Sequence, residues 1–217
     1  MKTYIAIIGD LINSRSISDR ELFQENLIKT LNEINTKYKK SIVTKFTLTL
    51  GDEFQAILNL DHNLMKIIDE LFVNIKCPFR MGIGYGEIIT KIDPNISIGA
   101  DGSAYWRARK AIDYVYNNNY QDRCNIYFIG EQEADSTVNT LFLLTETVKY
   151  QWTNLQKETF ELMFNYGIYD ESFNQQLFAK KINISQSSLS KRLSSGNIKI
   201  YLHGRNELMK FMEKNYD

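Results

Sequence analysis

The sequence predicts an α+β protein: an antiparallel sheet domain with helices on one face, followed by an all-α domain. Three observations predict it. Short apolar or alternating runs, punctuated by Gly, Asp and Pro, occupy residues 1–132. Helix-period stretches interleave with them in the order β-α-β-β-α-β, with a further hairpin arm, helix and strand. Beyond residue 137 every apolar pattern repeats at helical spacing. The first part has the ferredoxin-like or palm arrangement, and the second, residues 137–217, is a helical domain containing a helix-turn-helix at 173–194.

Residues 2–8 read as a buried strand, apolar nearly throughout and ended by Gly9-Asp10. After a loop with Asn13, Ser14 and Arg15, Ser18 and Glu21 have the spacing of a capping box. The helix they open carries Leu22, Phe23, Leu27, Leu31 and Ile34 on one side. Residues 44–50 alternate, with Phe46, Leu48 and Leu50 on one face. Gly51-Asp52 turns the chain into a second strand at 54–58, which makes a β-hairpin. A helix over 62–75, a strand over 79–85 and an extended arm over 88–91 follow. A helix opened by Asp101 covers 103–116, and a last strand spans 125–129. The polar stretch 131–136 reads as a hinge. Helices are expected at 137–150, 153–165, 173–182, 186–194 and 204–214, with Trp152 packed between the first two.

The 217 residues are 43% hydrophobic and 24% charged, enough for one sizeable core or one core with a small satellite. Lys plus Arg and Asp plus Glu both number 26, so the overall charge says nothing about partners. Its distribution does: from Gln175 onward eight Lys or Arg face three acids, an excess of five positive charges. A basic C-terminal part facing a polyanion is one reading, and an ordinary solvated surface is the other. Cys77 and Cys124 have neither disulfide-framework nor zinc spacing. The apolar run from Tyr4 to Ile8 is too short for a signal sequence, and no stretch approaches a membrane span. A cytoplasmic protein is therefore expected.

The string LFAKKINISQSSLSKRLSSG carries matched constraints. Ala179 sits where two helices cross and a larger side chain would part them, with Leu177 and Phe178 beside it. Asn183 suits a left-handed turn residue, Ile184 fills the corner, and Ser185 is a good N-cap. Leu189 and Leu193 form the buried face of the second helix. Gln186, Ser187, Ser188, Ser190, Lys191 and Arg192 are left outward, a set able to meet base edges and phosphates. A helical hairpin that binds nothing fits each feature singly. Together with the local basic charge they favour DNA.

Asp10 ends the first strand and Asp52, with Glu53 beside it, stands at the hairpin turn. In a palm-type sheet these spots are neighbours. Two carboxylates there suit Mg²⁺ or Mn²⁺ carrying a nucleotide's phosphates, although Asp in either place is also ordinary turn chemistry. His62 and His203 have no partner spacing. Arg15 and Arg80 have the chemistry to serve phosphates, although a lone Arg is usually a surface ion-pair partner, and Arg107 and Lys110, which flank Arg109, read as a solvated or anion-binding face.

The blocks IAIIGDLINSR, FTLTLGDEFQAIL, RMGIGYGEI and GADGSAYWRARKAI, in that order, resemble those of class III nucleotidyl cyclases, and the hairpin is similar to the GGDEF signature of diguanylate cyclases. The whole chain resembles the SatD family, a cyclase-like palm domain plus a C-terminal helix-turn-helix. The cyclase resemblance implies Asp10 and Asp52 as metal ligands, Leu11 as a backbone donor of oxygen and Arg109 as the phosphoryl-stabilising, catalytic residue of an enzyme. Asn13, Arg15 and Tyr105 complete the implied nucleotide site. Tyr105 stands where the cyclase pattern has Asn for the ribose, and Leu48 where it has the purine-reading Lys. Metal and phosphate positions are thus kept, while sugar and base positions are not.

These readings join into a DNA-binding regulatory protein whose cyclase-like domain senses a nucleotide or metal-bound phosphate, acting as a homodimer on paired half-sites. Two alternatives stay open. One is a Mg²⁺-dependent nucleotidyl cyclase or nucleotidyltransferase. The other is a palm-like domain that serves only dimerisation.

Overall fold

A computed structural model describes residues 2–14, 17–49 and 52–216. Arg15 and the Leu50-Gly51 end of the hairpin lie outside the described residues. The elements are β1 (Thr3–Leu11), α1 (Arg20–Lys37), β2 (Ile42–Leu48), β3 (Glu53–Leu58), α2 (Leu64–Asn74), β4 (Phe79–Glu87), α3 (Ser103–Asn117), β5 (Ile126–Ile129), α4 (Asp135–Tyr150), α5 (Asn154–Asn165), α6 (Gln175–Lys181), α7 (Gln186–Ser195) and α8 (Ile198–Tyr216). The expected α+β class and the strand-helix order are as the sequence indicates. No helix among the described residues is long and apolar enough to cross a membrane.

Five strands form one sheet in the order β2-β3-β1-β4-β5. β1 is central and antiparallel to both neighbours, but β5 runs parallel to β4. The sheet is therefore mixed, not purely antiparallel, because α3 carries the chain back across the sheet before β5 is laid down.

Helices cover both faces, which corrects the expectation of one. Ile5 and Ile7 of β1 join α1, α2, α4 and α8 in the large core, whereas Ala6 and Ile8 face α3 in a smaller one. A strand covered on both sides reads as a continuous apolar run, and IAII is such a run. The α3 side is thin. A Cβ at Gly82 or Gly84 of β4 would fall within 2.5 Å of α3 backbone atoms, so the absent side chains are what admits the helix. Met81, Ile83 and Tyr85 alternate with these glycines and point into the large core.

Several local expectations need correction. Asp19, not Ser18, caps α1 by accepting from Leu22 N at 3.0 Å. Residues 88–91 form no strand; Ile89 is 65% exposed and its N–H bonds Asp101 O within a loop. The stretch 131–136, expected as a hinge, is held by hydrogen bonds to Asp135. Asp135 accepts the N–H groups of Gly130 and Glu131 at 2.9 Å each, and the Tyr216 hydroxyl from α8 at 2.5 Å. α8 begins at Ile198 rather than 204. Gly204 sits inside it, where α8 crosses α4, and a Cβ there would lie 2.8 Å from Thr145 Cγ2.

The large core runs without a break from the sheet into α4–α8. A charged cluster lies within it. Arg205 of α8 is 0% exposed and donates to the Tyr201 hydroxyl at 3.0 Å, Asp69 of α2 at 3.1 Å, and Glu146 of α4. Asp69 also accepts from Tyr201 at 2.6 Å and from Tyr169 at 2.5 Å. Nothing in the sequence pattern marked these five residues, which, Tyr201 and Arg205 apart, lie on separate elements far apart along the chain.

Candidate functional site

The ends of β1, β3 and β4 place a row of charges on the α3 face of the sheet. In register, Asp10 stands opposite Glu53 on one side and Arg80 on the other. Arg80 Nη1 is 3.6 Å from Asp10 Oδ2. From α3, Arg109 grips Glu53 with two hydrogen bonds of 2.6 and 2.8 Å, the fork-to-fork geometry of a strong pair. Those bonds hold Arg109 more firmly protonated.

Asp52 reaches the same corner from the hairpin. Its carbonyl accepts Leu11 N at 3.1 Å, and its carboxylate accepts the Ser14 hydroxyl. Asn13 has φ +56, the left-handed turn that brings Ser14 round to Asp52. Burial raises the Asp10 carboxyl above its ordinary value, the charge of Asp52 adds to this, and Arg80 opposes it. Asp10 and Asp52, both half-buried, repel one another, a charge pattern that a cation between them would relieve. Among the described residues no group of three His, Cys, Asp or Glu gathers as a metal cage, so such an ion would keep most of its ligands from water or substrate.

One other expected nucleotide contact falls elsewhere. Tyr105, one helical turn before Arg109, is 7% exposed and packs with Ala6, Ile8 and Ile57 over the middle of the sheet. Its hydroxyl is sealed beside Thr44 and Ser97 without a well-formed hydrogen bond, and burial drives its pKa far up. Leu11, expected to offer its backbone carbonyl, stays at the corner: its N–H bonds the Asp52 carbonyl, and its side chain is in the large core. Arg80, open in the sequence to a phosphate or a surface ion pair, lies beside Asp10 in the structure. Its guanidinium lies 4.9 Å from the Tyr116 ring centroid, and its Nε is buried with no acceptor. The strand alternation that puts Arg80 on the Gly82 face was its one available signal.

The second candidate surface is built by α5, α6 and α7. Asn174 caps α6 and Ser185 caps α7, each accepting the backbone N–H three residues on. Asn183 has φ +56, as the turn demands. Ala179, Leu189 and Leu193 are buried, and Ile184 packs against the core. Gln186, Ser187, Ser188, Ser190 and Lys191 are exposed. Arg192 is not with them: it is half-buried and leans on α5, with Nη1 3.5 Å from Thr159 Oγ1. Leu177 is exposed, and Phe178 alone of that pair is buried. The local basic excess is also smaller at the surface than in the sequence, because Arg205 is consumed in the core.

The fold and the two surfaces define a mixed α+β protein: a sheet with charged strand ends, joined through one core to a helix-turn-helix. The SatD family model matches residues 4–212, so the chain belongs to the SatD family. No curated protein matches. Among solved structures, that of a bacterial light-regulated adenylyl cyclase is similar at 18% identity and a TM-score of 0.41, over 70% of this chain and 81% of that one. The family assignment rests on the family model.

Proposed function

We propose that this protein is a DNA-binding regulator in which α7 enters the major groove and the charged strand ends of the sheet sense a metal-bound nucleotide phosphate. The observation that carries the reading is the exposed polar front of α7, Gln186, Ser187, Ser188, Ser190 and Lys191, held on a spine of buried Leu189 and Leu193. The front of a helix presented in this way meets base edges with amide and hydroxyl groups while a lysine meets phosphate. Asp10 and Asp52 would hold Mg²⁺ or Mn²⁺, which would supply positive charge to phosphate oxygens. Arg109, already committed to Glu53, serves the phosphate only by exchanging partners. Two copies on paired half-sites would lie about 34 Å apart, one DNA turn.

Fluorescence anisotropy with DNA across a salt series tests the DNA part. Lys191→Glu is expected to weaken binding about tenfold and to flatten the salt dependence by about one phosphate contact. Gln186→Ala should cost affinity for a preferred sequence more than for random DNA. Unchanged affinity in both variants removes α7 as the reader.

The juxtaposition of Asp10 and Asp52 favours a second reading, a Mg²⁺-dependent nucleotidyl cyclase or nucleotidyltransferase. Incubation with labelled nucleoside triphosphates and Mg²⁺ or Mn²⁺ separates it from the first. Product formed by the wild type and lost in Asp10→Asn makes the protein an enzyme; saturable binding without product makes it a sensor.

A further inference from the structure

A cavity of about 540 Å³ opens between α2, the start of β4, α4 and α5, on the opposite face of the sheet from Asp10. Its volume is that of a small-molecule site. Phe72, Phe79, Trp152 and Phe160 supply aromatic wall, with Phe72 and Phe79 stacked at 4.3 Å between centroids.

The charges around it are unequal in their commitments. Arg205 reaches Asp69 and Glu146 from behind, Lys149 also pairs with Glu146, and Glu161 pairs with Lys76 at 3.2 Å. Among the described residues Asp122 of the wall has no cation partner; it accepts from Asn119 at 2.6 Å. Lys149 Nζ is 2.7 Å from Glu146 and 3.9 Å from the Phe72 centroid, yet it is sealed from solvent without a hydrogen bond of acceptable angle. Arg123 and Lys157, both exposed, pair with no carboxylate among the described residues. The Oδ1 of Asn125, also in the wall, is buried without a donor.

We infer that this cavity is a binding site for a small flat anion, an aromatic ring bearing a carboxylate, sulfonate or similar group. The ring lies among Phe72, Trp152 and Phe160, where aromatic faces favour a planar apolar body. The anionic group meets the two uncommitted cations, Arg123 and Lys157. The inference stands independently of the DNA and metal readings. Its location also gives an occupant a contact with the helix-turn-helix: Trp152 Nε1 donates to Gly196 O at 2.6 Å, and Gly196 is the C-cap of α7.

The chain contains two tryptophans, Trp106 and Trp152, so Trp106→Phe leaves one reporter inside the cavity wall. The full-length variant is titrated with 8-anilino-1-naphthalenesulfonate, an aromatic anion that accepts excitation energy from tryptophan. Saturable sensitised emission with one site and matching loss of Trp152 emission is expected. Adding Arg123→Glu and Lys157→Glu, both at exposed positions, should weaken binding about tenfold. Uncharged N-phenyl-1-naphthylamine should bind with an affinity that this pair of substitutions leaves unchanged, and circular dichroism should show the same fold throughout. The inference is overturned if no saturable transfer occurs, or if charge reversal leaves the affinity for the anion unaltered, since the dye then binds elsewhere or by apolar contact alone.

Discussion

At Asp10 three influences meet: partial burial, the Asp52 charge and an arginine held 3.6 Å off. The first two raise its pKa, so in the ion-free protein the folded state disfavours the charged carboxyl relative to the unfolded chain. Asp10→Asn keeps the shape and removes that charge. The variant is expected to melt at a higher temperature than wild type in the presence of a chelator. Millimolar Mg²⁺ should then raise the wild-type melting temperature and leave the variant unmoved, because a ligand stabilises only the state that binds it. Equal Mg²⁺ responses would take the ion away from Asp10. Asp10 and Asp52 were legible in the sequence because a strand end and a Gly-Asp turn are local features. The Glu53–Arg109 grip and the place of Arg80 were not, since both depend on which residues the strand register and α3 bring together.

The contact of α3 with the sheet depends on what β4 lacks. A Cβ at Gly84 would meet Ala104 O at 2.0 Å and Ala108 N at 2.4 Å. Both are backbone atoms of a helix, which cannot yield as the end of a side chain can. Gly84→Ala is therefore expected to destabilise the protein by about 1–3 kcal/mol, the ordinary range for overpacking, seen as a lower urea midpoint at unchanged slope. Because α3 carries Arg109, the variant should also loosen the Glu53 pair, read as faster amide exchange at the N-terminal end of β3. An unchanged midpoint would mean that α3 moves off the strand at no cost. The alternating glycines of RMGIGYGE are plain in the sequence, yet their meaning needs the helix that fills them. Gly204 misled in the opposite way. A glycine weakens a helix locally by about 1 kcal/mol relative to Ala, so the pattern placed a helix start there, whereas the crossing with α4 makes it an interior residue. The helix-turn-helix needed no distant information: its cap, turn residue and buried leucines all lie within 20 residues of chain, and the structure has each of them in place.

For the molecule as a whole, the buried cluster around Arg205 joins what the sequence divides at residues 132–137. Asp69 belongs to α2, Glu146 to α4, Tyr169 to the loop after α5, and Tyr201 and Arg205 to α8. The aromatic contacts of Tyr216 with Tyr85 and Phe128 make a second junction between α8 and the sheet. A charge taken out of water is tolerated only while its partners are present. Arg205→Met, similar in length but uncharged, leaves Asp69 without a cation and Glu146 with Lys149 alone, and should cost about 3–5 kcal/mol. With the core continuous through both parts, that loss is expected to lower one common transition. Hydrogen exchange at β1 and at α7 should accelerate together by the same factor, and the calorimetric and van't Hoff enthalpies of the wild type should agree. If instead α7 opened early while β1 kept its protection, the helix-turn-helix would be a separate folding unit, and a signal from the sheet would have to reach it by some route other than the shared core.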